Sequence, residues 1–250
     1  MTWQADVPVG TDAALAALRD GAITVRGRIA EASNATLLCR LRSPEPLADG
    51  TRTLHAVYKP IRGERPLADF PDGTLAGREL AAWELSEALG WSIVPPTILR
   101  DGPHGPGALQ LWIETDPDAD VLLMILARDP RLRRIALFDL VANNADRKGG
   151  HLLPVDGARV HGCDHGICFS VEPKLRTVLW AWQGEPLTDA ERADLGRVGA
   201  ELGGSLGERL RDALAAEEIA ATGARIAALL AEGRFPAPDT DRRVYPWPLF

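Results

Sequence analysis

Residues 137–151 read LFDLVANNADRKGGH, an apolar helical pattern that runs directly into a loop dense in polar groups. Asp146 in this loop is suited to accept or orient a hydroxyl proton, and Arg147 and Lys148 place positive charge close by. The two glycines that follow permit close backbone approach and unusual dihedral angles. A capped helix end with a glycine turn is the alternative, and it leaves the neighbouring charged side chains unexplained. The stretch predicts a catalytic loop after a helix.

A lysine at the end of a predicted strand precedes this loop in the chain. Residues 53–58 have a strand pattern, which must end at Lys59 and Pro60 because proline cannot extend a central ladder. Helical spacing then predicts a helix over residues 74–89, on which Glu79 lies. A strand-end lysine is a suitable point charge for a phosphate, and a helical carboxylate can hold its ammonium in place. The alternative is that both are surface residues, as most Lys and Glu are.

A third polar group, HGCDHG in residues 161–166, follows a short predicted β element. Asp164 before a small turn suits a hard cation, because carboxylate oxygen is the ligand that magnesium prefers. His161 and His165 indicate a zinc site as an alternative. The chain lacks the paired Cys-x-x-Cys spacing of structural zinc sites, which argues against zinc.

The order of elements predicts an α+β fold with two lobes. Residues 22–30 and 35–41 read as a hairpin, and residues 108–113 read as a further strand. The later part of the chain is mostly helical, above all residues 187–232. We therefore expect a β-rich lobe over residues 1–115 and a helical lobe over 116–250.

Composition limits the classes of function. The 250 residues are 46% hydrophobic and 25% charged, which is ordinary for a globular protein. A net charge of -7 and a pI near 5.3 argue against a general nucleic-acid binder, which needs a basic face. Three cysteines without a Cys-x-x-Cys spacing, no signal peptide and no long apolar run predict a reduced, cytoplasmic protein with no membrane insertion.

Taken in order, these motifs resemble those of the phosphatidylinositol 3-/4-kinase-like family, in its small bacterial form. The resemblance rests on Lys-Pro after the third strand, Arg-Glu-Leu-Ala at residues 78–81, Asn-x-Asp-Arg at 144–147 and Asp-His-Gly at 164–166. It covers roughly residues 20–233. It implies a small β-rich lobe over a helical lobe, with MgATP in the cleft.

The resemblance also implies roles for particular residues. Lys59 would contact the α- and β-phosphates and pair with Glu79, Asp146 would be the catalytic aspartate, and Asp164 would bind the metal. The other nucleotide-binding residues that it implies are the turn residues Ser33, Asn34 and Thr36 and the hinge residues Gln110, Leu111, Trp112, Ile113 and Glu114.

Two positions depart from the family pattern. His151 stands where the family has a metal-binding asparagine, and Lys148 stands where lipid kinases carry histidine. Imidazole is a softer ligand than a carbonyl oxygen and suits magnesium less well. His151 therefore indicates one metal rather than two, a preference for manganese, or lost catalysis.

The resulting hypothesis is a phosphotransferase that uses ATP and Mg²⁺ or Mn²⁺ and passes the γ-phosphoryl group to a hydroxyl of a small molecule or protein. The first alternative is a nucleotide-binding pseudokinase or sensor, and the second is an enzyme of the same fold that transfers AMP. A helical interaction protein without a nucleotide is the third. The sequence determines neither the acceptor nor the oligomeric state.

Overall fold

A computed structural model describes residues 11–29, 34–47 and 50–250. The chain divides into two compact units, one of residues 1–80 and 95–114 and the other of residues 81–94 and 115–250. Residues 81–94, which the expected division at residue 115 places in the first lobe, therefore belong to the second unit. The helices are α1 (Thr11–Asp20), α2 (Leu75–Ala88), α3 (Val121–Leu126), α4 (Arg133–Ala142), α5 (Asp189–Glu201), α6 (Ser205–Leu210) and α7 (Ala216–Glu232). The strands are β1 (Ala22–Arg28), β2 (Leu37–Arg42), β3 (Thr53–Pro60), β4 (Thr97–Gly102), β5 (Gly105–Leu111), β6 (Leu152–Pro154) and β7 (Val160–Gly162).

The first unit contains a five-stranded antiparallel sheet in the order β1-β2-β3-β5-β4. The predicted strand over residues 108–113 is wrong in its bounds, because β5 begins at Gly105 and ends at Leu111. Gly105 has a φ of 90°, a conformation that glycine adopts without steric cost. A tight turn between β4 and β5 therefore forms, and pairing starts earlier in the chain than the sequence pattern indicated.

The side chains of strand β3 alternate between a face that packs in the core and a face that is partly open. Leu54, Ala56 and Tyr58 are buried and pack in the core of the first unit, where helix α1 also contributes side chains. Successive side chains of a strand point to opposite faces, so Val57 and Lys59 lie on the other face and are half-buried. The alternation thus directs the lysine away from the core.

Helix α2 begins on a side-chain cap supplied by the loop before it. The Glu64 carboxylate accepts hydrogen bonds from the backbone N–H groups of Leu75 at 3.2 Å and Ala76 at 2.9 Å. The first N–H groups of a helix have no intrahelical partner, and a carboxylate there also complements the helix dipole. The cap fixes the start of the helix that carries Glu79.

The second unit has a helical core with a small two-stranded sheet, β6-β7. Helix α4 is central to this core, because seven of its residues are buried: Ile135, Ala136, Leu137, Phe138, Asp139, Val141 and Ala142. Such a helix buries apolar side chains on most of its surface. Within the described ranges, no helix combines the length and the apolar character that crossing a bilayer requires.

Candidate active site

Lys59 and Glu79 form an ion pair within the first unit. The Lys59 Nζ donates to the Glu79 Oε1, which joins strand β3 to helix α2. The Glu79 side chain is only 2% exposed, whereas that of Lys59 is 18% exposed. The second carboxylate oxygen, Oε2, is buried without a hydrogen-bond partner among the residues that the structure describes. Because a buried carboxylate is stable only beside a cation, Glu79 holds the ammonium at a partly open position.

The predicted phosphate-covering turn is described only in part. Asn34 accepts a hydrogen bond at its Oδ1 from the backbone N–H of Arg65 at 2.9 Å. The backbone N–H of Thr36 donates to the Asn34 carbonyl at 2.9 Å, and Thr36 is buried. Ser33 lies outside the described residues. Asn34 and Thr36 thus shape the turn, and their contact with phosphates stays a prediction.

Some residues of the predicted hinge are hydrogen-bonded to described neighbours, and others are not. Gln110 is buried and donates its Nε2 to a threonine hydroxyl of β4 at 2.8 Å, and the backbone N–H groups of Leu111 and Trp112 bind neighbouring carbonyls at 2.8 and 3.0 Å. Ile113 and Glu114 follow the end of β5 and make no hydrogen bond to another described residue. The contact of Ile113 and Glu114 with an adenine stays a prediction.

In the second unit, Asn143 connects the predicted catalytic loop to a later segment. It ends helix α4 in the left-handed conformation, with a φ of 52°. Its Nδ2 donates to the carbonyls of Ser170 and Glu172 at 2.9 and 2.7 Å, and its Oδ1 accepts from the backbone N–H of Lys174 at 2.9 Å. Asparagine tolerates the left-handed conformation, and its side chain can hydrogen-bond to backbone groups that lack another partner. Asn143 therefore both ends the helix and holds residues 170–174 in place.

Asp146 is a partly exposed carboxylate with a raised pKa. Its backbone N–H donates to the Asn144 Oδ1 at 3.0 Å, and its carboxylate lies 3.2 Å from the Lys148 Nζ. Burial raises the pKa of Asp146 above its ordinary value, although the Lys148 ammonium acts in the opposite direction. A carboxylate with a raised pKa is a better proton acceptor. The structure therefore brings together the predicted pair of Asp146 and Lys148.

Arg147 occupies a different position from the one that the sequence indicated. Its guanidinium is fully buried and bonds to the Asp139 carboxylate at 3.0–3.2 Å, the Cys163 carbonyl at 2.7 Å and the His165 Nε2 at 2.7 Å. Burial lowers the pKa of Arg147, but the facing Asp139 carboxylate raises it, and the net shift is upward. A guanidinium bound in this way supplies no charge to a reacting group beside Asp146. Arg147 is therefore a positioning residue that holds the loop.

Asp164 and His151 lie together at the end of β7. The Asp164 carboxylate is 3.4 Å from the His151 Nε2, and its side chain is 55% exposed. Asp164 has a φ of 60°, and the backbone N–H of Cys163 donates to the His151 carbonyl at 3.0 Å. A tight turn therefore presents the Asp164 carboxylate outward next to the imidazole.

Asp164 and His151 are the two predicted metal ligands. Across residues 11–29, 34–47 and 50–250, no three His, Cys, Asp or Glu side chains form a group that could hold a metal ion by themselves. Magnesium in phosphoryl-transfer sites takes one or two carboxylates, and waters and substrate phosphates complete its coordination. An imidazole beside the carboxylate favours manganese more than magnesium. Asp164 and His151 therefore supply only part of a cation's coordination, and their role as metal ligands stays a prediction.

Sequence reasoning missed two residues that organise this region. Asp139 is 0% exposed and binds Arg147, Asn144 at 3.0 Å and Thr177 at 3.2 Å. The signal was present, because a carboxylate in the apolar pattern LFDLVA must find a partner in the core. The alternative of a capped helix end covered the role of Asn143, but its partners carried no signal, since they lie far along the chain.

No family model matches the chain. Its sequence is 45% identical over 270 residues to Protein Rv2133c of Mycobacterium tuberculosis (strain ATCC 25618 / H37Rv), with 94% of this chain and 95% of that protein covered.

Two solved structures resemble the chain in fold. A crystal structure of the Golgi casein kinase with Mn/ADP bound has a TM-score of 0.56 at 14% identity, covering 92% of this chain and 80% of that chain. The structure of hydra Fam20 with sugar has a TM-score of 0.55 at 15% identity, covering 87% of this chain and 86% of that chain. These similarities confirm the predicted α+β, kinase-like fold. The narrower resemblance to phosphatidylinositol 3-/4-kinase-like proteins stays a prediction.

Proposed function

We propose that this chain, which belongs to the same family as Mycobacterium tuberculosis Protein Rv2133c, is an ATP- and metal-dependent phosphotransferase that passes the γ-phosphoryl group to a hydroxyl. The observation that carries the proposal is the ion pair between Lys59 on a strand and the buried Glu79 on the following helix. The kinase-like fold supports it, and the Mn and ADP bound to the Golgi casein kinase support a nucleotide and a divalent cation here.

In the first unit, Lys59 binds the α- and β-phosphates, and Glu79 keeps its ammonium from swinging away. A lysine acts on phosphates as a point charge, so its placement decides how much it contributes. The turn that contains Asn34 and Thr36 covers the phosphates, and the backbone of Ile113 and Glu114 binds the adenine.

In the second unit, Asp146 accepts and orients the proton of the acceptor hydroxyl, and Lys148 offsets the charge that builds up at the transferring group. Asp164 and His151 would hold a divalent cation, which would supply positive charge to offset that of the nucleotide phosphates. Arg147 acts indirectly by anchoring the loop to Asp139. The expected cytoplasmic location stays a prediction.

One observation favours a second candidate function. His151 is within 3.4 Å of Asp164, so a protonated imidazole would form an ion pair with the carboxylate that must bind the metal. A nucleotide-binding pseudokinase would follow if this pair persists when nucleotide is bound. Turnover separates the two functions, because only the phosphotransferase releases ADP in a way that Asp146→Ala abolishes. The mass of the product separates phosphate transfer from AMP transfer.

The first experiment is calorimetric titration of ATP into the full chain with magnesium, with manganese and with chelator. We expect metal-dependent binding that weakens at least tenfold in Lys59→Ala and in Asp164→Ala, since each removes a group that binds phosphate or metal. Arg40→Ala on β2 and Asp212→Ala after α6 are matched controls, because both residues are exposed members of the same two units. Absence of ATP binding under every metal condition would refute the proposal.

A further inference from the structure

A cavity in the second unit lies between residues 173–180 and the C-terminal segment 236–244. Its volume is about 480 Å³, which is the size of small-molecule sites. We name it the tail pocket, and its lining residues are Pro173, Lys174, Leu175, Arg176, Trp180, Pro236, Ala237, Asp239, Arg242, Arg243 and Val244. The Trp180 indole N–H donates to the Val244 carbonyl at 3.0 Å, and the Arg242 Nη1 donates to the Pro173 carbonyl at 2.9 Å. These bonds fix the two walls to each other.

The tail pocket is positively charged in an acidic chain. Four of its lining side chains are basic and one is acidic, whereas the chain carries a net charge of -7. Asp239 offsets part of this charge, because its carboxylate lies 3.2 Å from the Arg242 Nε. The Nε of Arg176 is buried and has no hydrogen-bond partner in the described part of the chain. A buried donor without a partner costs stability, so a ligand that accepts from Arg176 would repair that loss.

Backbone hydrogen bonds connect the tail pocket to the Asp146 loop. The Arg176 N–H donates to the Asn144 carbonyl at 2.9 Å, and the Arg147 N–H donates to the Arg176 carbonyl at 2.9 Å. These two bonds join Asn144 and Arg147, which lie two positions before and one position after Asp146, to Arg176 in the pocket wall. The positive charge of Arg176 also acts on the Asp146 carboxylate and lowers its pKa against the larger effect of burial. The pocket and the proposed catalytic aspartate therefore form one connected structure.

We propose that the tail pocket binds the phosphate acceptor, and that the acceptor is a small, soluble organic anion with a free hydroxyl. Its phosphate or carboxylate group binds the arginines, since guanidinium groups match these anions in geometry and charge. Its carbon skeleton packs on the Trp180 ring, and its hydroxyl faces Asp146. This inference rests on the proposed phosphotransfer and names its substrate class.

The transfer balances without a further reactant. The acceptor oxygen forms a bond to the γ-phosphorus of ATP as the bond from that phosphorus to the bridging oxygen breaks. ADP leaves with the electron pair of the broken bond. The hydroxyl proton passes to the Asp146 carboxylate and then to solvent, so the products are the phosphorylated acceptor, ADP and a proton.

The test measures anion binding separately from phosphotransfer. Glucose 6-phosphate, 3-phosphoglycerate and inorganic phosphate are titrated calorimetrically into the full chain without nucleotide, beside neutral glucose and glycerol. We expect the three anions to bind and the neutral compounds not to bind. Arg176→Gln and Arg243→Gln should each weaken anion binding by on the order of tenfold, because each removes a charged donor. Arg211→Gln removes the same charge from an exposed position outside the pocket and should leave binding unchanged.

Several results would overturn the proposal. The proposal would be wrong if no anion bound at millimolar concentration or if the neutral compounds bound as well as the anions. It would also be wrong if Arg211→Gln weakened anion binding as much as the pocket variants do. Arg243 is exposed, so its variant keeps the test valid if Arg176→Gln does not fold. Sedimentation with phosphatidylcholine vesicles containing phosphatidylinositol 4-phosphate distinguishes the source of the anion, and vesicle binding without binding of the free anions would exclude a soluble acceptor. Anion binding without ATP turnover would contradict only the proposed phosphotransfer, whereas ATP binding without anion binding would contradict only the pocket.

Discussion

Replacing Asp139 with alanine should strongly destabilise the second unit. The Arg147 guanidinium and the Asp139 carboxylate are both 0% exposed, and Asp139 supplies the negative charge in this contact. Removing one partner of a buried ion pair leaves a buried charge without compensation, which costs about 3–5 kcal/mol in the free energy of unfolding. In a chain of this size, that loss corresponds to a fall of roughly 6–20 °C in Tm.

The assay is urea and thermal unfolding followed by tryptophan fluorescence. The matched control is Asp156→Ala, because Asp156 also pairs with an arginine, Arg159, at 2.7 Å, but both side chains are about half exposed. An exposed pair contributes little, so the control should lose much less stability. The double variant Asp139→Leu with Arg147→Met removes both charges and should recover much of the loss. If Asp139→Ala lost no more stability than Asp156→Ala, the assignment of Arg147 as the anchor of the loop would be wrong.

Three further predictions concern single positions. Asp146→Asn should raise Tm at neutral pH and abolish phosphotransfer, because burial raises the pKa of Asp146 and its ionised form therefore costs stability. That stability is regained as pH falls from the raised pKa towards the ordinary carboxyl value of about 3.9, so the Tm difference from wild type should shrink over this range and vanish below it. Gly149→Ala should displace the C-terminal residue with little change in Tm, because the added Cβ would lie 2.2 Å from the exposed Phe250 ring. The Gly149 N–H donates to the Leu249 carbonyl at 2.8 Å, so faster hydrogen exchange at the Gly149 amide would report the displacement. Ser86→Ala should lower the free energy of unfolding in urea by about 1–3 kcal/mol, because the buried Ser86 hydroxyl accepts from two backbone N–H groups at 2.9 and 3.2 Å, which would lose their partner. A smaller loss would mean that water reaches these two N–H groups in the variant.

Local patterns were sufficient to predict several parts of the candidate site. The alternation of β3 placed Lys59 near the end of the strand, although β3 and its pairing with β5 continue through Pro60, two residues beyond the predicted end at Tyr58. Helical spacing placed α2 over residues close to its observed bounds, Leu75–Ala88. Strand and helix periods depend on side chains near in sequence, so they can be read without the fold. The polar loop after α4 was predicted for the same reason.

Other features depend on contacts between distant residues. Arg147 reads in the sequence as a free positive charge, yet the turn of α4 brings Asp139 against it from eight positions earlier. The tail pocket joins residues 173–180 to 236–244, and no local pattern in either segment indicates the other.

The sequence by itself determined the order of strands and helices, the kinase-like class of the fold and the chemical types of the candidate site residues. Only the tertiary structure decided which of these charges are exposed to a ligand and which are neutralised in the core. The physical reason is that burial and ion pairing are properties of the packed chain, and the same arginine is a ligand group at a surface and an anchor beside a buried carboxylate.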